Sequence, residues 1–244
     1  MANEKVYIHE FIDIIGHSRA DYMHHMTANW SPEAQEQRQQ LCYGVWAVLG
    51  STGRWPEVVN IWEHDDWDGL AASFALEAVG KGAQDTTLEA WWAKAAEFRR
   101  GGLDRILEPA PWTRTITELC AAGVRGQCYA HELVVVRNGA AGEFLERVRD
   151  EAVALGARYG LDLAGAWKTA MVDDDECILL WAIPTWAEWA AFEKAQASDV
   201  EVRAWRMSVR DVVESWQRTV LVDAPLSPFK TGRQPSRADR SDGP

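Results

Sequence analysis

Tyr7-Ile8-His9-Glu10-Phe11 is echoed beyond the midpoint of the chain by Tyr129-Ala130-His131-Glu132-Leu133, at an offset of 122 residues. The echo continues downstream. Gly44-Val45-Trp46 returns as Gly165-Ala166-Trp167 at an offset of 121, and Trp62 and Trp67 return as Trp181 and Trp186 at 119. Ala90-Trp91 and Ala110-Pro111 return as Ala204-Trp205 and Ala224-Pro225, both at 114. Matches in unbroken order, with an offset that shrinks in small steps, are the mark of a duplicated unit that has lost a few loop residues.

Each copy reads alike. Residues 5–15 alternate and are β-branched, which predicts a strand. Residues 18–41 are helical in pattern, with Ser31-Pro32 as a restart. Strands follow at 42–51 and 57–64, then a helix capped by Asp66 or Asp68 and running to Val79. A further helix is predicted over 86–100, with Ile106-Leu107 as a short closing strand. The second copy predicts a strand at 127–137, a helix at 140–158 and strands at 162–171 and 176–183. Helices at 185–196 and 200–216 and a closing strand at 219–222 complete it. The units are then 1–111 and 127–229, with a partly helical linker at 112–126 and a flexible tail at 230–244. A four-stranded antiparallel sheet with helices on one face leaves its other face bare. Pressing two such sheets together buries both faces. The expected fold is therefore α+β: two tandem repeats closing into one barrel around a tryptophan-rich cavity.

Composition narrows the partners. Hydrophobic residues make up 47% of the 244 positions, and 14 are Trp, enough to line a broad apolar cavity or interface. A net charge of -12 disfavours nucleic acid and anionic membrane surfaces, both of which need a cationic face. The most basic stretch, Lys230 to Arg240, lacks an apolar period and reads as a mobile tail. Cys42, Cys120, Cys128 and Cys177 show no CxxC or His pairing, which suits a reducing compartment. The opening MANEKVYIHE has no signal-like pattern, and no apolar run approaches the ~20 residues of a membrane span. A cytoplasmic location is the expectation.

The opening strand VYIHEF, the segments NIWEHDDWDGLAASF (60–74) and LLWAIPTWAEWAAFEKA (179–195), and the closures AWW…EPAP and AWR…DAP carry a family likeness. On these the chain resembles the NIPSNAP-like branch of the dimeric α+β barrel, or ferredoxin-like, superfamily, over roughly residues 4–228. The resemblance implies two ferredoxin-like repeats forming a pseudo-dimeric barrel. It brings no catalytic signature. The wider superfamily includes cofactor-free monooxygenases, polyketide cyclases and haem enzymes such as aldoxime dehydratases.

Chemistry is expected in the first half, because five of the six histidines fall within residues 9–64. On the opening strand His9, Phe11 and Asp13 share one face, and Ile8, Glu10 and Ile12 the other. Whichever face turns inward carries a polar group with it. A carboxylate in an apolar barrel has a raised pKa and can act as acid or base. Alternatively, Glu10 and Glu132 bond each other or an arginine. Tyr22 and His25 lie three apart on the first helix and can reach one substrate. Glu63 belongs to Trp62-Glu63-His64-Asp65-Asp66-Trp67, where the second copy has the apolar Trp181-Ala182-Ile183-Pro184-Thr185-Trp186.

The leading expectation is an enzyme without a tightly bound organic cofactor, performing acid–base dehydration, isomerisation or cyclisation on a small hydrophobic molecule. His9, Glu10, Tyr22, His25 and Glu63 are the candidate catalytic groups, with Trp46, Trp62, Trp167, Phe11 and Glu132 shaping the cavity. No metal-ligand spacing, dinucleotide fingerprint or nucleotide loop is present. One alternative is a haem enzyme, with His9, His25 or His131 as axial ligand. Another is a non-catalytic ligand-binding or scaffold protein, with Trp91, Trp92, Trp189 and Trp205 available for self-association into a homo-oligomer.

Overall fold

The computed structural model describes residues 2–79 and 86–240. The last four residues of the expected tail, 241–244, lie outside them. In the first half β1 (Val6–Ile14) leads to α1 (Arg19–His24), which continues through a π-helical turn at His25–Trp30 into α2 (Ser31–Arg38). The helix thus passes through Ser31 rather than restarting on it. Then come β2 (Leu41–Val48), β3 (Glu57–His64), α3 (Trp67–Glu77), α4 (Thr86–Ala96) and β4 (Arg99–Pro109). Asp66 caps α3 by accepting from the Gly69 N–H at 2.8 Å. A short α5 (Ile116–Ala121) follows.

The second half runs β5 (Cys128–Val136), α6 (Ala141–Arg147), a π-helical turn at Val148–Ala152, α7 (Val153–Ala157), β6 (Asp162–Thr169) and β7 (Glu176–Ile183). It ends with α8 (Trp186–Ser198), α9 (Val200–Ser208), β8 (Val213–Asp223) and α10 (Pro228–Thr231). The eight strands form one closed antiparallel barrel in the order β1-β3-β2-β8-β5-β7-β6-β4. Pairings within the second half reproduce those of the first: β1 lies between β3 and β4, and β5 between β7 and β8.

Three expectations change. The helices expected at 86–100 and 200–216 stop at Ala96 and Ser208, and the closing strands grow to eleven residues each. Gly101-Gly102 and the β-branched Val212-Val213 are poor helix material, and both stretches are needed to flank the long β1 and β5. The halves do not press two sheets face to face. They join edge to edge through short seams, β2 with β8 and β4 with β6, three residue pairs each. Third, the tail is not loose up to residue 240. Phe229 is buried in the barrel end, Gln234 bonds both the N–H (2.9 Å) and the C=O (2.8 Å) of Cys42, and Arg237 pairs with Glu33 and Glu36.

Alternation decides what each strand face does. Tyr7, His9 and Phe11 point into the barrel, while Ile8, Glu10 and Ile12 point outward beneath α1 and α2. One end of the barrel is solid with rings: Tyr7, Tyr43, Trp46, Tyr129, Trp167 and Phe229. A central cavity walled by Trp46 and Trp167 is therefore absent, since those indoles fill the space. Above this layer His9 and His131 meet, Nε2 to Nε2 at 2.9 Å, both fully buried. The remaining barrel space is a hollow of about 240 Å³ at the opposite mouth, between Phe11, Arg105, His131 and Leu133.

Candidate functional site

A cavity of about 600 Å³ lies outside the barrel between the first-half sheet and its helices. Its floor is the outward face of β1, β3 and β4, and α2, α3 and α4 roof it. Trp30, Trp62, Trp91 and Trp92 line it with Met26 and Phe74. The β6–β7 loop of the second half closes one side with Thr169, Ala170 and Met171.

Glu10 stands in this floor, only 8% exposed. Strand register sets its neighbours: Asn60 faces it across β3 and Asp104 across β4. Its Oε2 accepts from the Asn60 amide and from the Trp62 indole N–H, both at 2.8 Å. The same Asn60 amide donates to the Tyr22 hydroxyl at 2.9 Å. Among the described residues neither Glu10 nor Asp104 has an ion-pair partner. Burial, and next the nearby Asp104 charge, raise the Glu10 carboxyl from 4.5 to about 7, against the opposing pull of the two donors. Burial raises the Asp104 carboxyl as well. Glu10 is thus a carboxylate poised to exchange a proton near neutrality, in an apolar pocket.

The other candidates are dispersed. Tyr22 backs Asn60 behind the pocket wall. His25 stacks on Trp91, centroids 4.8 Å apart, with Asn29 at 3.3 Å from its Nδ1, and lies behind the indole that lines the cavity. His9 and Phe11 are inside the barrel. Burial and the charges of His131 and Arg105 hold His9 well below its usual range, and the same causes of burial and Arg105 bring His131 down to about 4. Glu63 is at the solid end, accepting from the Tyr7 hydroxyl (3.0 Å) and the Ile116 N–H (2.9 Å), where it ties β3 to α5. Glu132 faces outward in the second half, paired with Arg218 at 2.6 Å and accepting from the Trp181 indole at 3.1 Å. Of the pairings weighed from sequence, the carboxylate–arginine one holds for Glu132 and not for Glu10. Sequence reading missed Asn60, Asp104, Trp91 and Trp92 as site residues. A signal existed: Asp104 and Arg218 stand at the same 114 offset as the AWW and AWR motifs.

Residues 135–228 match the family model described as NIPSNAP. This segment is similar to a NIPSNAP domain. The NIPSNAP match runs from the end of β5 through β8, whereas Glu10 and most of the cavity lining belong to the other half of the barrel. Solved structures match the whole fold. The "putative monooxygenase" of Lactobacillus acidophilus NCFM aligns over 96% of this chain and 97% of its own, at TM-score 0.58 and 10% identity. An anthrone oxidase-like protein aligns over 91% and 93%, at TM-score 0.61 and 11% identity. A NIPSNAP family protein of Agrobacterium tumefaciens aligns over 43% of this chain and 95% of its own, at TM-score 0.38 and 20% identity. The two full-length alignments establish a shared antiparallel α+β barrel. No curated protein matches the chain.

Neither cavity offers a haem ligand of the expected kind. No imidazole or thiolate among the described residues lines the outer pocket, and the Nε2 of His131 in the barrel hollow is tied to His9. No cluster of three or more His, Cys, Asp or Glu suited to a metal ion occurs among the described residues. None of their helices is long and apolar enough to cross a membrane.

Proposed function

We propose that the chain is a tandem duplication of a ferredoxin-like unit in which only the first copy keeps an active site. In that site Glu10 moves a proton to or from a small hydrophobic molecule held among indoles. One observation carries this reading: Glu10 and Glu132 occupy matching positions, yet only Glu10 is unneutralised and opens on a large cavity. Glu132 has its arginine, and the space beside it has shrunk to about 30 Å³. A buried acid with no counter-ion destabilises a fold, so its persistence at a pocket floor favours a chemical role over a structural one.

Proton abstraction next to a carbonyl suits the surroundings. A flat substrate lying on Trp62 and Trp91 brings an acidic C–H to the free Oε1 of Glu10. The buried Arg38, also in the lining, offers N–H groups to a developing oxyanion. Isomerisation through an enol, loss of water from a β-hydroxy carbonyl compound and aldol-type cyclisation all begin with such a step. The two barrel neighbours are named as a "putative monooxygenase" and an anthrone oxidase-like protein, and oxidation of an anthrone-like C–H also requires that proton to leave.

The test is hydrogen–deuterium exchange at the acidic C–H of anthrone and of aryl ketones with and without an amino substituent, followed by NMR in D2O. Exchange accelerated by the protein and reduced at least ~100-fold in Glu10→Gln is the expected result, within the range positioned acid–base groups contribute. Full acceleration in Glu10→Gln, or none in the unaltered protein across the panel, overturns the proposal.

A further inference from the structure

The strand pairings of the two halves correspond in order and register, and the second half shows what the first lacks. Across β5 and β8, Glu132 faces Arg218; across β1 and β4, Glu10 faces Asp104. The Arg218 guanidinium contacts Glu132 at 2.6 and 2.7 Å, reaches Glu193 at 3.0 Å and sits 4.9 Å from the Phe192 ring centroid. Arg206 lies 3.9 Å over the ring of Trp216. The chain's own cations thus fill the second-half cavity, one of them clamped between a carboxylate and an aromatic face.

In the first half those fillers are gone. The offset that equates Trp205 with Trp91 puts Trp92 where Arg206 would be and Asp104 where Arg218 would be. The offset that equates Trp186 with Trp67 puts Ser73 in place of Phe192. What stays is the host: Glu10 with its tryptophan donor, a second carboxylate beside it, and indole faces around the space.

We propose that the outer pocket binds an organic cation, a flat hydrophobic molecule with a protonated amine or amidine head. The head takes, against Glu10 and Asp104, the place that the Arg218 guanidinium takes against Glu132. This rests on the reading of the same pocket as the substrate site. The charges agree. Of the lining guanidinium groups, Arg38 pairs with Glu77 at 3.4 Å and Arg105 with Glu176 at 2.5 Å, which leaves Glu10 and Asp104 over. Arg99 is close enough for its charge to act on both carboxyls, but its guanidinium lies 4.0 Å over Trp92 and pairs with neither among the described residues. An anionic ligand would face the buried Glu10 carboxylate and the more exposed Asp104 beside it, whereas a cation gains both of them and the indole faces.

Binding is read by tryptophan fluorescence and calorimetry at pH 8 with three shape-matched probes: 2-naphthamidine, 2-naphthylmethanol and 2-naphthoate. The amidine is expected to bind at least ~10-fold tighter than the alcohol, with the naphthoate weakest. Asp104→Asn should weaken the amidine about tenfold and leave the alcohol within about twofold. Asp104→Arg, which copies the second half, should exclude the amidine. Tighter or equal binding of the alcohol or naphthoate, no saturable amidine binding, or an equal loss for all probes in Asp104→Asn overturns the inference. Since binding is read without turnover, loss of exchange in Glu10→Gln stands or falls independently of the cation preference.

Discussion

Two hydrogen bonds to one oxygen set the character of Glu10. The Trp62 indole and the Asn60 amide favour the charged form, while burial and the nearby Asp104 oppose it. Removing a donor shifts that balance in a known direction. Trp62→Phe keeps the ring and deletes the N–H, so the Glu10 pKa should rise. A hydrogen bond to a charged group contributes ~1.5 kcal/mol, or about one pKa unit. The pH–rate profile of the exchange reaction should move up by about that much. An unmoved profile would show that another group titrates. At this scale the sequence was half legible. Alternation along Tyr7–Asp13 showed that each face carries a polar group, and that Glu10 and His9 part company. It could not say which face meets a pocket. That depends on Asn60, Trp62 and Asp104, which come from strands ~50 and ~90 residues away and become neighbours only through register.

Among the elements, β2 and β6 show a repeated motif whose purpose the structure reveals. The Gly-x-Trp pairs place each indole back over its own glycine, at a bulge in the ladder. A Cβ on Gly165 would lie 1.8 Å from the Trp167 ring, and one on Gly44 would lie 2.1 Å from the Trp46 ring. Gly165→Ala should therefore evict an indole from a solid core. The expected loss is ~2–3 kcal/mol or more, the scale of overpacking, measured by urea unfolding. Wild-type stability in that variant would mean that the ring has somewhere else to go. The repeat was visible in the sequence as a spacing, and it correctly located strands β1, β3, β5 and β7. Of the long β4 and β8 only the stretches at Ile106-Leu107 and 219–222 were located, because Arg99–Arg105 and Val213–Arg218 carry polar residues on both faces at the barrel mouth. Their polar, charged stretches mimic the flank of a helix.

For the molecule as a whole, closure of the barrel brings together His9 from β1 and His131 from β5. Sequence placed both on equivalent strands, but an edge-to-edge closure was needed to bring their rings face to face. Their burial has a pH consequence. His131 falls from 6.5 to about 4, and His9 is lowered too, so the unfolded chain binds protons the folded chain refuses. Their stabilising contribution is complete above pH 6.5 and is lost as pH falls toward 4. For His131 the shift corresponds to ~3 kcal/mol. Glu10 and Asp223 act oppositely: both are raised to about 7 by burial, so their contribution is present below the unfolded carboxyl range and fades as pH rises to neutrality. The two trends partly cancel, which predicts a shallow stability optimum in the unaltered protein. Replacing both histidines with glutamine keeps a side-chain hydrogen bond in the barrel and removes the titration. Unfolding free energies from urea melts between pH 4 and 8 should then decline toward acid by ~3 kcal/mol less than in the unaltered protein. Parallel curves for the two proteins would mean that the imidazole pair takes up its proton without leaving the barrel.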